Sequence, residues 1–143
     1  MGEVVVRCQV VEVAAVVVHY GAVLLVKRDD PATAQRWSIP AAPLLWGEHL
    51  QDSLEREVLA TTGIRIRAGA VIHAYDQVLP ELEGRAAEQR VVIEIEADYL
   101  GGELQCGAGV VDVAWVSALA ITSMMVDEQT LELLTDLGFI DAD

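Results

Sequence analysis

From Ala42 to Ile64 the chain reads Ala42-Pro-Leu-Leu-Trp46-Gly-Glu48-His-Leu50-Gln-Asp52-Ser-Leu54-Glu-Arg56-Glu57-Val58-Leu-Ala60-Thr61-Thr-Gly63-Ile64. Leu50, Leu54 and Val58 recur at every fourth position, the spacing of one buried stripe on a helix. The pattern predicts a helix from His49 to Thr61, with Gly63 as its C-terminal stop. Positions 57, 60 and 61 stand i, i+3 and i+4 from one another and share a face of that helix. Upstream, Pro40 and Pro43 bar helix and stiffen a loop running from Pro31 to Gly47.

The segments on either side read as strands. Val10–Val18 and Ala22–Val26, separated by His19-Tyr20-Gly21, predict a hairpin that ends at the charged run before Pro31. After the helix, Ile64 and Ile66 alternate with Arg65 and Arg67 in a strand continuing to Tyr75. The polar stretch from Asp76 to Gln89 predicts a mobile loop. Val91–Tyr99 alternates again, with Ile93, Ile95, Ala97 and Tyr99 on one face and Glu94, Glu96 and Asp98 on the other. Gly101-Gly102 turns the chain, and Val111–Val116 forms a further short strand. A last helix begins at Asp127, a side chain suited to capping, with Val126 and Leu131 placed as a hydrophobic staple. It stops at Gly138, with Phe139 set to touch Leu134. Strands, a helix, more strands and a final helix describe an α+β fold, a mixed sheet with helices packed on it, in one domain over 1–143.

Composition narrows the function. Of 143 residues, 23 are acidic and nine are basic, giving a net charge of −14, while 53% are hydrophobic. That apolar share supplies a core, and the charge repels phosphate backbones and anionic membranes. Nucleic acid and membrane are therefore excluded as partners. A small anionic ligand needs local help from arginine or a cation. The N-terminus has neither the h-region of a signal peptide nor a membrane span, so the expected location is cytoplasmic. Cys8 and Cys106 make no disulfide framework and read as buried thiols. His19, His49 and His73 share no zinc-ligand spacing.

The stretch quoted above resembles the Nudix box of the MutT-like pyrophosphohydrolases. In that pattern a glycine is followed after five residues by glutamate, and after seven more by Arg-Glu-aliphatic. One further residue, Glu-Glu, one residue, glycine and an aliphatic residue complete it. Glu48, Arg56, Glu57, Val58, Gly63 and Ile64 stand at the required positions. Trp37-Ser-Ile-Pro40 looks like the usual lead into the box, and Trp115-Val-Ser117 like the family's strand near the C-terminus. The resemblance implies an α/β/α sandwich and cleavage of a nucleoside diphosphate derivative with Mg2+ or Mn2+. By that resemblance Glu57 and Glu48 are the metal and catalytic carboxylates, and Arg56 supports the box loop.

The box is degenerate between 42 and 64. Ala42 replaces its glycine, Ala41 a second common one, and Ala60-Thr61 the Glu-Glu pair. Two of three carboxylates on the helix face are missing, and hard cations need several converging oxygens. Activity is therefore expected to be weak or lost, with the cofactor either magnesium, manganese or none. The alternative is a silent module that binds a nucleotide or a protein. Arg56 follows Asp52 by four residues, so an ordinary surface ion pair also accounts for it. Glu94, Glu96 and Asp98 are either replacement ligands or a solvated sheet face, and Asp112 is either a loop base or a plain loop acid. For phosphate, Arg65 and Arg67 form the favoured pair, with Arg28 and Arg36 also available. Trp46 is a stacking candidate for a base. A homodimer is compatible with the valine-rich strands.

Overall fold

A computed structural model describes residues 7–30, 35–81, 83–84 and 86–141. Strand β1 (Arg7–His19) is the spine of the sheet, and β2 (Ala22–Arg28) turns back from it. The hairpin holds for only two pairs, Val18 with Val23 and His19 with Ala22, before its arms part. The segment read as a loop fills the vacated edges with two short strands. In it β3 (Trp37–Ser38) pairs with β2, and β4 (Ala41–Pro43) pairs antiparallel with β1. The prolines that forbid helix favour this extended path, and Pro43, which has no N–H to donate, ends β4.

Helix α1 (Leu50–Thr62) follows, then β5 (Ile64–Leu79) and β6 (Ala87–Gly102). The polar segment expected as a loop from Asp76 is strand as far as Leu79, and strand resumes at Ala87. The β5–β6 ladder runs from Ile64 opposite Gly102 to Leu79 opposite Glu88. Near those ends polar side chains pair across it, as Gln89 does by donating to Asp76 at 3.3 Å. Strand β6 also pairs with β1, in parallel, from Arg7 opposite Ala87 to Val17 opposite Ala97. Strand β7 (Val110–Ser117) pairs with β2 and leads into a short helix, α2 (Ala118–Ile121).

Helix α3 (Glu128–Asp136) has the ends expected of it. The Asp127 carboxylate accepts from the Thr130 amide at 3.2 Å. At the other end the Phe139 amide donates to Leu134 O and the Gly138 amide to Thr135 O, a Schellman cap. Phe139 packs on the same core as Leu134.

The long sheet separates two cores. Val13, Ala15, Val17, Ile64, Ile66 and Ile95 face Leu54 and Val58 of α1. Ala14, Val16 and Val92 face Leu133 and Leu134 of α3. Helices on both faces of a mixed sheet make the α+β sandwich that the sequence predicts. No helix among the described residues is long and apolar enough to cross a membrane. The two thiols are exposed, not buried. Cys8 precedes the part of β1 that the helices cover, and Cys106 lies between strands.

Candidate functional site

The box cluster forms at the entry to α1. Leu45, Trp46, Gly47 and Glu48 make a tight turn closed by the Glu48 amide on Leu45 O at 3.1 Å, with Gly47 at φ +86°. The turn leaves Trp46 fully exposed and swings Glu48 back towards the helix. Arg56 then grips Glu48 with both prongs of its guanidinium, Nε to one carboxylate oxygen at 3.0 Å and Nη2 to the other at 2.9 Å. Its Nη1 donates to Glu57 at 3.1 Å. The Arg56 hydrogen bond is the leading cause holding the Glu48 carboxyl below its ordinary range, and Glu48 in turn raises Arg56. Arg56 thus takes Glu48 and Glu57 as partners, not Asp52. Ser53 Oγ, fully buried beside Glu48, has no other partner.

The end of the same helix face is closed by backbone. Ala60 is exposed, but Thr61 is buried and its hydroxyl donates to Glu57 O at 2.8 Å. Residues 103–109 lie across the helix terminus, with the Gln105 amide on Thr62 O at 2.8 Å and the Gly107 amide on Thr61 O at 2.9 Å. These bonds satisfy carbonyls that a helix end leaves orphaned. The approach is close enough that a Cβ on Gly107 would stand 2.0 Å from Ala60 O. Gly102 and Gly107, where a Cβ would run into the backbone of Gly63 and Ala60, are the residues that permit it.

The other sequence candidates scatter. Arg28 reaches the site, its Nη2 donating to Ala41 O of β4, which packs against α1. Arg65 and Arg67 are exposed on the face of β5 opposite the one that Ile64 and Ile66 bury under α1. Arg67 lines a cleft of about 370 Å³ with Val16, Val18, Glu96, Asp98 and Leu137, on the α3 side of the sheet. The favoured phosphate pair is therefore separated from the box by the sheet. Arg36 is exposed, and Asp112 lies opposite Lys27, exposed, its carboxylate accepting from the Val113 amide.

The acidic row on β6 divides. Glu96 and Asp98 are exposed, whereas Glu94 is 2% exposed and lies 2.7 Å from His73 Nδ1. Burial raises the Glu94 carboxyl above 4.5, His73 pulls it back, and Glu132 and Asp127 add to the rise. Tyr75, nearby, is pushed up to about 12, chiefly by burial and then by Glu94. A carboxyl raised by folding holds its proton more tightly in the native state. The stability this confers is full below the unfolded value and lost as pH rises through the folded one. Glu94→Gln is expected to gain stability relative to the parent as pH rises above the ordinary carboxylate range, read by urea unfolding. Parallel profiles for the two proteins would remove Glu94 from the pH response.

A divalent cation finds a reduced set of ligands in this cluster. Among the described residues no group of three His, Cys, Asp or Glu side chains converges as a metal site. Both oxygens of Glu48 and one of Glu57 accept from Arg56, whose positive charge opposes a cation there, and Ala60 has no side-chain oxygen. Magnesium takes six oxygens, some of them from water and substrate phosphates, so two carboxylates shared with Arg56 make a weaker site than a full box would.

Comparison with known proteins agrees with the fold. The family model for the NUDIX domain matches residues 9–136, and the chain belongs to that family. Among solved structures, a NUDIX hydrolase from Nitrosomonas europaea is 22% identical at TM-score 0.75, over 91% of this chain and 88% of that one. A MutT NUDIX hydrolase from Burkholderia pseudomallei is 22% identical at 0.74, over 88% and 95%. A bifunctional NMN adenylyltransferase/ADP ribose pyrophosphatase from Francisella tularensis, complexed with AMP and a Mn ion, is 19% identical at 0.64, over 90% and 41%. At these identities the likeness is one of fold. Among curated proteins nothing matches.

Proposed function

We propose that residues 1–143 form one Nudix domain that takes a nucleoside diphosphate derivative, with pyrophosphohydrolase activity weak or lost. The observation that carries this reading is the box face of α1, where Glu57 is followed by Ala60 and a buried Thr61. Phosphoanhydride cleavage in this chemistry needs cations to offset charge and hold the phosphates in line. Glu48 and Glu57 are the remaining carboxylates for that task, and Arg56 holds both. The ligand class is supported by family membership and by the ADP-ribose activity in the name of the Francisella relative. Arg28 stands on the box side of the sheet as a phosphate partner, and Trp46 is free to stack.

The test is a panel of nucleoside diphosphate derivatives incubated with magnesium or manganese, with release of phosphate or nucleoside monophosphate measured. The expected result is trace turnover, together with no magnesium site tighter than about millimolar by titration calorimetry. Robust metal-dependent release by the unmodified protein would overturn the weak-or-lost reading and restore an ordinary hydrolase.

A further inference from the structure

Charge balance at the box points beyond a simple loss of ligands. Glu48 and Glu57 contribute two negative charges, and Arg56 and Arg28 contribute two positive ones, so the four sum to zero. With glutamates at 60 and 61 the same set would stand at −2, the charge that one divalent cation cancels. Replacing them by Ala60 and Thr61 leaves the site as neutral without metal as a complete box is with it.

Arg28 is built into this site. It pairs with Val110 of β7 just after a register shift at Lys27. The Val110 amide donates to Gly107 O, and the Gly107 amide donates to Thr61 O, so one run of backbone joins Arg28 to the end of α1. From that junction the guanidinium reaches Ala41 O on β4. The carbonyl takes one of the five donors a guanidinium carries. Among the described residues no carboxylate pairs with Arg28, in a protein where acids outnumber bases 23 to nine.

We propose that Arg28 supplies, from the protein itself, the positive charge for a metal-independent diphosphate site beside the box helix. The inference rests on the ligand class proposed above and concerns how that ligand is held. Guanidinium binds phosphate oxygens in pairs and keeps its charge at every physiological pH. Binding is therefore expected to be indifferent to chelators.

Titration calorimetry of the whole chain with inorganic pyrophosphate, and separately with ADP, in EDTA and in magnesium, tests this. Affinity is expected to be equal in the two buffers within about threefold, and about tenfold or more weaker in Arg28→Ala. Arg28→Lys keeps the charge and one donor to Ala41 O, and should bind between the two. Circular dichroism of all three proteins separates lost binding from lost fold. Binding that requires magnesium, binding in EDTA that survives Arg28→Ala in a folded protein, or no binding of either probe would each overturn the proposal. Hydrolysis with magnesium but no binding in EDTA would sink this inference and leave a hydrolase. Binding in EDTA without hydrolysis would retain it.

Discussion

Replacing Gly63 by alanine is expected to lower the unfolding free energy by about 2–5 kcal/mol, the sum of a left-handed backbone cost and a steric one. Gly63 ends α1 at φ +77°, and its amide caps the helix on Leu59 O at 3.0 Å. A Cβ there would also stand 2.2 Å from Glu103 O, backbone that cannot rotate away. The clash would push residues 103–109 off the helix end and break the bonds from Gln105 and Gly107 to its last carbonyls. Gly84 provides the control. It too has positive φ, +79°, but open space where a Cβ would go, so alanine there should cost only the conformational part, about 1–2 kcal/mol. Urea unfolding followed by tryptophan fluorescence checks both, with a lower midpoint at unchanged slope as the signature. Equal losses at the two positions would show that the close approach at Gly63 is unimportant.

The second large effect is a gain of metal dependence. Glutamates at 60 and 61 together are expected to destabilise the metal-free protein by about 2–4 kcal/mol, because position 61 is buried and a carboxylate there has no partner. Ala60→Glu alone faces solvent and should cost little. Magnesium should then recover about 3 kcal/mol in the double variant at a hundredfold excess over its dissociation constant, and leave the parent unmoved. Thermal unfolding in EDTA and in magnesium reads this directly. A double variant as stable as the parent and indifferent to magnesium would mean that the box geometry itself has been lost, not only its charges.

What the sequence disclosed was what local chemistry dictates. The stripe of Leu50, Leu54 and Val58, the stop at Gly63, and the Asp127 and Gly138 caps each depend on residues within a turn or two, and each is where the pattern puts it. The parting of the β1–β2 hairpin was hidden, because β4 competes for β1 from more than twenty residues away and no local signal records that competition. The same holds for the ends of β5 and β6, where a long ladder outweighs polar composition. At the site, Arg56 chose Glu48 over the nearer Asp52 because the Leu45–Glu48 turn aims a carboxylate along the guanidinium's edge, a direction that spacing alone does not reveal. Glu94 differs from Glu96 and Asp98 through its surroundings, since it is buried against His73 while the other two line an open cleft. Arg65 and Arg67 were correctly placed on one strand face. Which face that was depended on Ile64 and Ile66 packing under α1.

The parallel pairing of β1 with β6 joins residues 80 positions apart. During synthesis β1 leaves the ribosome early, carrying Val13, Ala15 and Val17, which are fully buried in the finished protein. The strand on its other edge begins only at Ala87, so until then this valine-rich segment has β2 and β4 on one side and an open edge on the other. Such a segment is a template for pairing with neighbouring nascent chains. Slowing elongation between β2 and β6 should therefore reduce soluble yield in the cell, and the same chain should refold from urea, where all of it is present at once.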